Sequence, residues 1–402
     1  MKKYRLELGD GDIEHEDPII YDIKNRFEHF YIIGKSGMGK SVLMERMAVY
    51  DLNYGISIIY IDPKGDSTKR LYHLAEDKSK VRYVDVDHPI GLNPLQKKNY
   101  TLDNIISEFV QVLDVLITLT SINPESSVRM KEIMDYALKS FDKKQMTLQY
   151  LHDFIKYEHI RKAHKFDDLN NAQWWKEYDK KQGQFYEKRY YHETADSITS
   201  RLSMFIKNEY IAPFMKNNEF DVPTLLKNGQ SMLVDISQFR KENRVFIANL
   251  MIFAIATYCN FSKVNIPLIV YVDEMQVCAS ELISDVLEFG RGAEVGFVLA
   301  HHNFTEIKKS SILGSIFGIV SNFIAFRCGD DEAGKMADIY GLKKKDFSNL
   351  EEHTAWVRLG IDNTLVATYP PILNEVPDID LEPPQPTYNF LKDEFIKPSV
   401  IM

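Results

Sequence analysis

Residues 30–47 read FYIIGKSGMGKSVLMERM, an apolar run, a glycine-spaced loop, then apolar positions at helical spacing. Few folds accept that order. Gly34-Lys35-Ser36-Gly37-Met38-Gly39-Lys40-Ser41 fits GxxxxGK[ST], a pattern that needs a strand before it and a helix after it. Glycines let the backbone turn its N–H groups inward onto anionic oxygens, and the helix start adds its positive end. Lys40 is placed to reach β- and γ-phosphates, and the Ser41 hydroxyl to ligate Mg²⁺. The alternative, an ordinary glycine-rich turn, is the weaker reading in that context. The loop is expected to hold ATP.

The rest of the chain supplies a matching frame. Apolar, β-branched or aromatic runs recur at 29–34, 56–62, 81–86, 231–237, 267–273, 296–300 and 322–327, with helical patterns between them. Such alternation predicts an α/β fold with a mostly parallel sheet covered on both faces. HTAWVRLG and TLVATYP extend it as an antiparallel edge. Between 87 and 195 the strand rhythm stops. Leu102, Ile105, Ile106, Phe109, Val110, Leu113 and Leu116 fall on one helical stripe, which predicts a helical insertion splitting the sheet domain. The expected division is an N-terminal β segment and first core half at 1–100, the all-helical insertion at 101–195, the second core half at 196–375, and a Pro-rich acidic tail at 376–402. Within the insertion, WWKEYDKKQGQFYEKRYY reads as a solvated face or mobile loop ahead of a nucleic-acid contact.

Composition excludes several classes. A hydrophobic fraction of 45% with 12% aromatics supports a buried core. The net charge of −9 leaves no global basic footprint, so any polyanion must meet a local basic surface. Cys259, Cys278 and Cys328 are far apart and form no CxxC pair, which argues against a zinc site or disulfide framework and suits a reducing cytosol. ANLMIFAIATYCNF is too short to span a bilayer and reads as a core helix, and the charged N-terminus has no apolar stretch behind it. A cytoplasmic protein without its own membrane segment is expected.

A phosphate cradle needs a metal anchor and a base for water. LIVYVDEMQ offers both at the end of an apolar strand: Asp273 for Mg²⁺ and Glu274 to activate the attacking water. Asp62, Lys64 and Asp66 in IDPKGD end another strand, where ligands bind in open parallel sheets. Asp62 is a candidate for ordering water or the metal shell, and a plain turn built on Pro63 and Gly65 explains the same residues equally well.

Together these stretches resemble the FtsK/HerA superfamily of P-loop ATPases. The branch likeness is to the TraG/TraD-like coupling proteins of conjugative type IV secretion. IIYIDPKGD is similar to that branch's DPxGD segment, VDVDHPIGLNPL to its post-strand NPL segment, and EFGRGAEVGFVLAHHN to its arginine segment and sensor strand. The resemblance implies a RecA-like core and a homohexameric ring that hydrolyses ATP to translocate DNA. It implies that Arg291 is an arginine finger for the neighbouring subunit. His302 stands where the family's strand usually carries a glutamine, so its sensing role departs from the pattern. The N-terminal membrane anchor of coupling proteins is also missing from this sequence, implying either docking on a membrane-bound or secretion-channel partner or work wholly in the cytosol. Two other readings stay open: a secretion assembly ATPase acting on protein, and a nucleotide-gated scaffold with weak turnover. Strandedness of the DNA is not legible.

Overall fold

The computed structural model describes residues 4–10, 20–95, 101–103, 105, 106, 109, 126–142, 145–180, 186–261, 265–278, 281–307 and 310–369. The acidic tail and most of the 102–120 stripe, including Val110, Leu113 and Leu116, lie outside these residues.

The strands in chain order are β1 (Leu6–Glu7), β2 (Gly9–Asp10), β3 (Ile20–Tyr21), β4 (Phe30–Ile33), β5 (Ser57–Asp62), β6 (Val81–Val84), β7 (Ser231–Asp235), β8 (Leu268–Val272), β9 (Val295–His301), β10 (Asn322–Ala325), β11 (Thr354–Leu359) and β12 (Asp362–Thr368). β1 and β3 pair with each other, and the other ten form one sheet in the order β2-β12-β11-β10-β4-β9-β8-β5-β7-β6. From β10 through β6 every pair is parallel. β11, β12 and β2 complete the sheet as an antiparallel edge. Each apolar run of the sequence becomes a strand, and the two late runs are the expected edge.

Side chains alternate between two cores because the strand period is two. Phe30 and Ile32 face a cluster with Leu43, Met44 and Met47 of the helix Lys40–Tyr54. Tyr31 and Ile33 face the opposite cluster, which includes Ile247, Leu250 and Met251 of the helix Lys241–Phe261. That helix contains the ANLMIFAIATYCNF run and is a core element, as expected. No helix among the described residues is long and apolar enough to cross a membrane.

The helical insertion is present, but its root differs from the expected boundaries. The helix Tyr186–Ile206 runs through residue 195, and the short helix Val222–Lys227 still precedes β7. The chain entering and the chain leaving are instead zipped together: Leu92 N–H donates to Phe214 O at 2.6 Å, Asn93 N–H to Asn217 O at 3.0 Å, and Glu219 N–H to Gly91 O at 2.8 Å. A Cβ on Gly91 would lie 2.5 Å from Asn217 O, so only glycine permits this approach. Residues 91–93 and 214–220 are thus the stem. Above it, Phe205 stacks on Phe246 with centroids 3.8 Å apart, which joins the insertion to the sheet-covering helix. Trp175 is buried against Phe154, and Trp174 stacks on Tyr136 at 4.4 Å. These tryptophans pack within the insertion, while Lys176, Glu177 and Lys180 of the same stretch are exposed, as a solvated face would have them. Residues 181–185 of that stretch lie outside the described ones.

Candidate active site

Strand order determines which loops meet. β4, β9, β8 and β5 are consecutive neighbours, all parallel, so the loops after their C-terminal ends open side by side. These are the glycine-rich loop, the His302 segment, the Asp273–Glu274 pair and the Asp62–Asp66 turn.

The glycine-rich loop is clamped from behind. Lys35 N–H donates to Arg327 O at 2.8 Å, Phe326 N–H to Ile33 O at 2.9 Å, and His353 N–H to Met38 O at 3.1 Å. A Cβ at Gly34 would sit 2.6 Å from Phe326 Cβ, so the loop can lie this close to β10 only as glycine. Gly37 has φ +81° and open space around it, so there the requirement is backbone conformation alone. Gly39 immediately precedes the helix Lys40–Tyr54, whose N-terminus points its free N–H groups into the loop.

Lys40 is buried, and its ammonium donates to Gly34 O at 2.6 Å, Lys35 O at 2.9 Å and His302 Nδ1 at 2.8 Å. Burial pulls its pKa down to about 8; Asp273 and Glu274 oppose the fall and Lys64 adds to it. Ser41 Oγ donates to Asp273 Oδ2 at 2.8 Å, which brings the hydroxyl and the carboxylate together. Asp273 Oδ1 accepts from the N–H of Glu274 at 2.9 Å.

Glu274 holds a left-handed backbone, φ 55° and ψ 57°, a conformation that costs a non-glycine residue on the order of 1–3 kcal/mol. The bend aims its carboxylate back across the sheet end. Oε1 receives His302 Nε2 at 2.6 Å and the Lys64 ammonium at 2.6 Å, and Oε2 receives Gln276 Nε2 at 2.5 Å. Burial alone would raise this carboxyl, but the His302 and Lys64 contacts outweigh it and hold it well below the usual carboxylate range. Because the Lys40 ammonium can only donate, His302 Nδ1 accepts and its Nε2 carries the proton given to Glu274. His302 therefore bridges Lys40 and Glu274. Behind it, His301 Nδ1 meets the Tyr31 hydroxyl at 2.8 Å, and burial pushes His301 down to about 4.

Two predicted site residues are not part of this bonded group, although Asp62 lies at the same sheet end. Asp62 is buried with its carboxylate taken up locally: Oδ1 accepts from Lys64 N–H at 2.8 Å and Oδ2 from Thr68 N–H at 3.1 Å. These bonds hold the turn that carries Lys64. Arg291 precedes β9, whereas His302 follows it, so the length of β9, roughly 20 Å, separates them. Its side chain is 70% exposed and lies 3.3 Å from Glu28. The structure does not bring Arg291 to this chain's own site. Conversely, the sequence did not single out Lys64 and Gln276 as partners of Glu274. The signal available was the DPKGD turn itself, which needed the β5–β8 pairing to become readable.

The family model described as "Helicase HerA, central domain" matches residues 12–255, a span that holds the glycine-rich loop and ends before Asp273. Among solved structures, the unbound form of the bacterial conjugative coupling protein TrwBdeltaN70 is similar with a TM-score of 0.66 at 13% identity, over 91% of this chain and 90% of that one. TrwB in complex with ADP and Mg²⁺ gives 0.63 at 13% identity, over 90% and 88%. VirB4 of Thermoanaerobacter pseudethanolicus gives 0.66 at 12% identity, over 91% and 96%. No curated protein sequence matches the chain. The structural likenesses establish the fold, a RecA-like P-loop NTPase core with a mostly parallel sheet, as the sequence resemblance implied. With the family match spanning more than half of its residues, the chain belongs to the HerA helicase central-domain family.

Proposed function

We propose that this chain is an ATP-hydrolysing motor that translocates DNA as a homohexameric ring. One observation carries the reading: adjacent parallel strands deliver Lys40, Ser41, Asp273, Glu274 and His302 into one bonded group. The residues fit a nucleoside triphosphate and a divalent cation. The Gly34 backbone lies where a side chain would clash, Gly37 faces open space, and a hydroxyl and a carboxylate stand together as hard oxygen donors.

Lys40 exchanges its bonds to Gly34 O, Lys35 O and His302 for phosphate oxygens, and the backbone N–H groups of residues 36–41 orient them. Ser41 and Asp273 would hold Mg²⁺, which offsets charge on the β- and γ-phosphate oxygens when bound. Glu274 takes the proton of the attacking water at Oε2, the oxygen with the single partner. His302 Nε2 keeps that carboxylate oriented, and the release of its Nδ1 from Lys40 makes phosphate contact at the lysine felt at the base. Arg291, exposed at the far end of β9, is offered to the adjoining subunit's phosphates, tying hydrolysis to assembly. Membership of the HerA family supports a nucleic-acid cargo. TrwB has been solved with ADP and Mg²⁺ and with an ATP analogue, which supports the nucleotide and cation. We place the ring in the cytoplasm, docked on a membrane or secretion-channel partner.

The test is ATP turnover without DNA, with single-stranded DNA and with duplex DNA, alongside the assembled mass. DNA-stimulated turnover that Glu274→Gln abolishes is expected from a ring of identical subunits. Turnover indifferent to both forms of DNA, but raised by a secreted protein, would assign the site to protein cargo.

A further inference from the structure

The proposed chemistry leaves one close contact unused. Lys64 stands in the turn after β5, its backbone N–H fixed to Asp62 Oδ1 at 2.8 Å. The following Gly65, at φ +84°, lies so close to β7 that a Cβ there would meet Ser237 Oγ at 2.5 Å. The lysine's backbone is therefore rigidly set, while its side chain reaches across the β5–β8 pair to Glu274 Oε1 at 2.6 Å. Of the three side chains on that carboxylate, His302 and Gln276 are part-buried. The Lys64 side chain is 47% exposed at the sheet's ligand-binding end, so it can answer to something outside the site.

A carboxylate paired with an ammonium is a weaker base toward water, and one lone pair of Oε1 is blocked. We infer that Lys64 gates Glu274, and that a DNA strand opens the gate by drawing the Lys64 ammonium onto its phosphates. Lys64 is thus a positioning residue acting through Glu274. It is placed to touch cargo, which links cargo arrival directly to the strength of the base. The direction is inhibitory at rest: His302 and Gln276 still orient the carboxylate when the lysine leaves. This inference rests on the DNA-motor reading above.

Two measurements test it, one of them independent of hydrolysis. Replacing Lys64 by Met keeps the stem and removes the charge. Basal turnover is expected to rise about fivefold, the rate equivalent of a half-exposed ion pair. Stimulation by DNA is expected to fall toward one, with KM for ATP within about twofold, while Lys64→Arg keeps wild-type behaviour. In the second arm, Glu274→Gln removes the competing carboxylate. That variant should retain single-stranded DNA on a filter about fivefold more tightly than the wild type, and adding Lys64→Met should erase the gain. Lower basal turnover in Lys64→Met, intact stimulation, or unchanged DNA retention in Glu274→Gln would overturn the gate. If the wild type hydrolyses ATP while the retention arm fails, only the gate falls. If the wild type neither hydrolyses ATP nor retains DNA, the motor reading falls and takes the gate with it.

Discussion

Replacing Gly34 and Gly37 separately by alanine distinguishes the two reasons for glycine in one loop. At Gly34 the new Cβ would lie 2.6 Å from Phe326 Cβ and 3.3 Å from both Arg327 O and Phe326 Cα. Carbon contacts settle at about 3.5–4.0 Å, so roughly 1 Å of movement is required. Neither side can yield freely, because Phe326 is fully buried and its N–H is bonded to Ile33 O at 2.9 Å. Overpacking of this kind costs about 1–3 kcal/mol, and the backbone at φ +157° adds about 1–3 kcal/mol for any L side chain. Gly37→Ala meets nothing within 4 Å and carries only the left-handed penalty, about 1–2 kcal/mol. Thermal melting followed by circular dichroism should therefore rank wild type above Gly37→Ala, and Gly37→Ala above Gly34→Ala. A fluorescent ATP analogue should bind both variants more weakly than wild type. Equal melting temperatures for the two variants would refute the claim that β10 presses on the loop at Gly34.

The Lys40 ammonium gives a pH dependence. Its pKa is lowered from 10.5 to about 8, so the cost of burying the cation is present below pH 8 and is relieved between pH 8 and 10.5, where the unfolded chain binds more protons. Nucleotide affinity runs the other way. The lysine is about nine-tenths charged at pH 7 and about one-tenth at pH 9, so calorimetry should show roughly tenfold weaker ATP binding at pH 9, with proton uptake on binding. Equal affinity without uptake would contradict the assigned role. For the shared site, an inactive Arg291→Ala subunit mixed with an inactive Glu274→Gln subunit should recover part of the ATP turnover. Mixed rings that stay inactive at every ratio would remove Arg291 from the mechanism.

What the sequence made legible was local or motif-borne. β4, β5 and β8 read as near-continuous apolar runs because both of their faces are covered, and the Ser41–Asp273 contact follows from two motifs whose meeting is part of their definition. Two-residue strands such as β1 and β3 carry too little pattern to be read. The insertion's root escaped because it is set by Leu92 meeting Phe214 across a long loop, a pairing without local signature. Trp174 and Trp175 looked surface-facing because polar neighbours surround them in sequence, yet Phe154 and Tyr136 enclose them in space. Lys64 reaches Glu274 only because β5 lies beside β8, and strand order is a property of the whole chain.

The stem at residues 91–93 and 214–220 bears on how such a protein can diversify. Since the backbone departs and returns at a single hydrogen-bonded point, everything between can be lengthened, shortened or exchanged without altering the path of any sheet strand. Among the described residues the constraints include the Phe205–Phe246 stack and the Asn208–Asn243 hydrogen bond, which any replacement cassette must reproduce or leave an oily scar on the helix beneath. The helical cap can thus drift while the hydrogen-bonded group of Lys40, Ser41, Asp273 and Glu274 at the sheet end stays fixed.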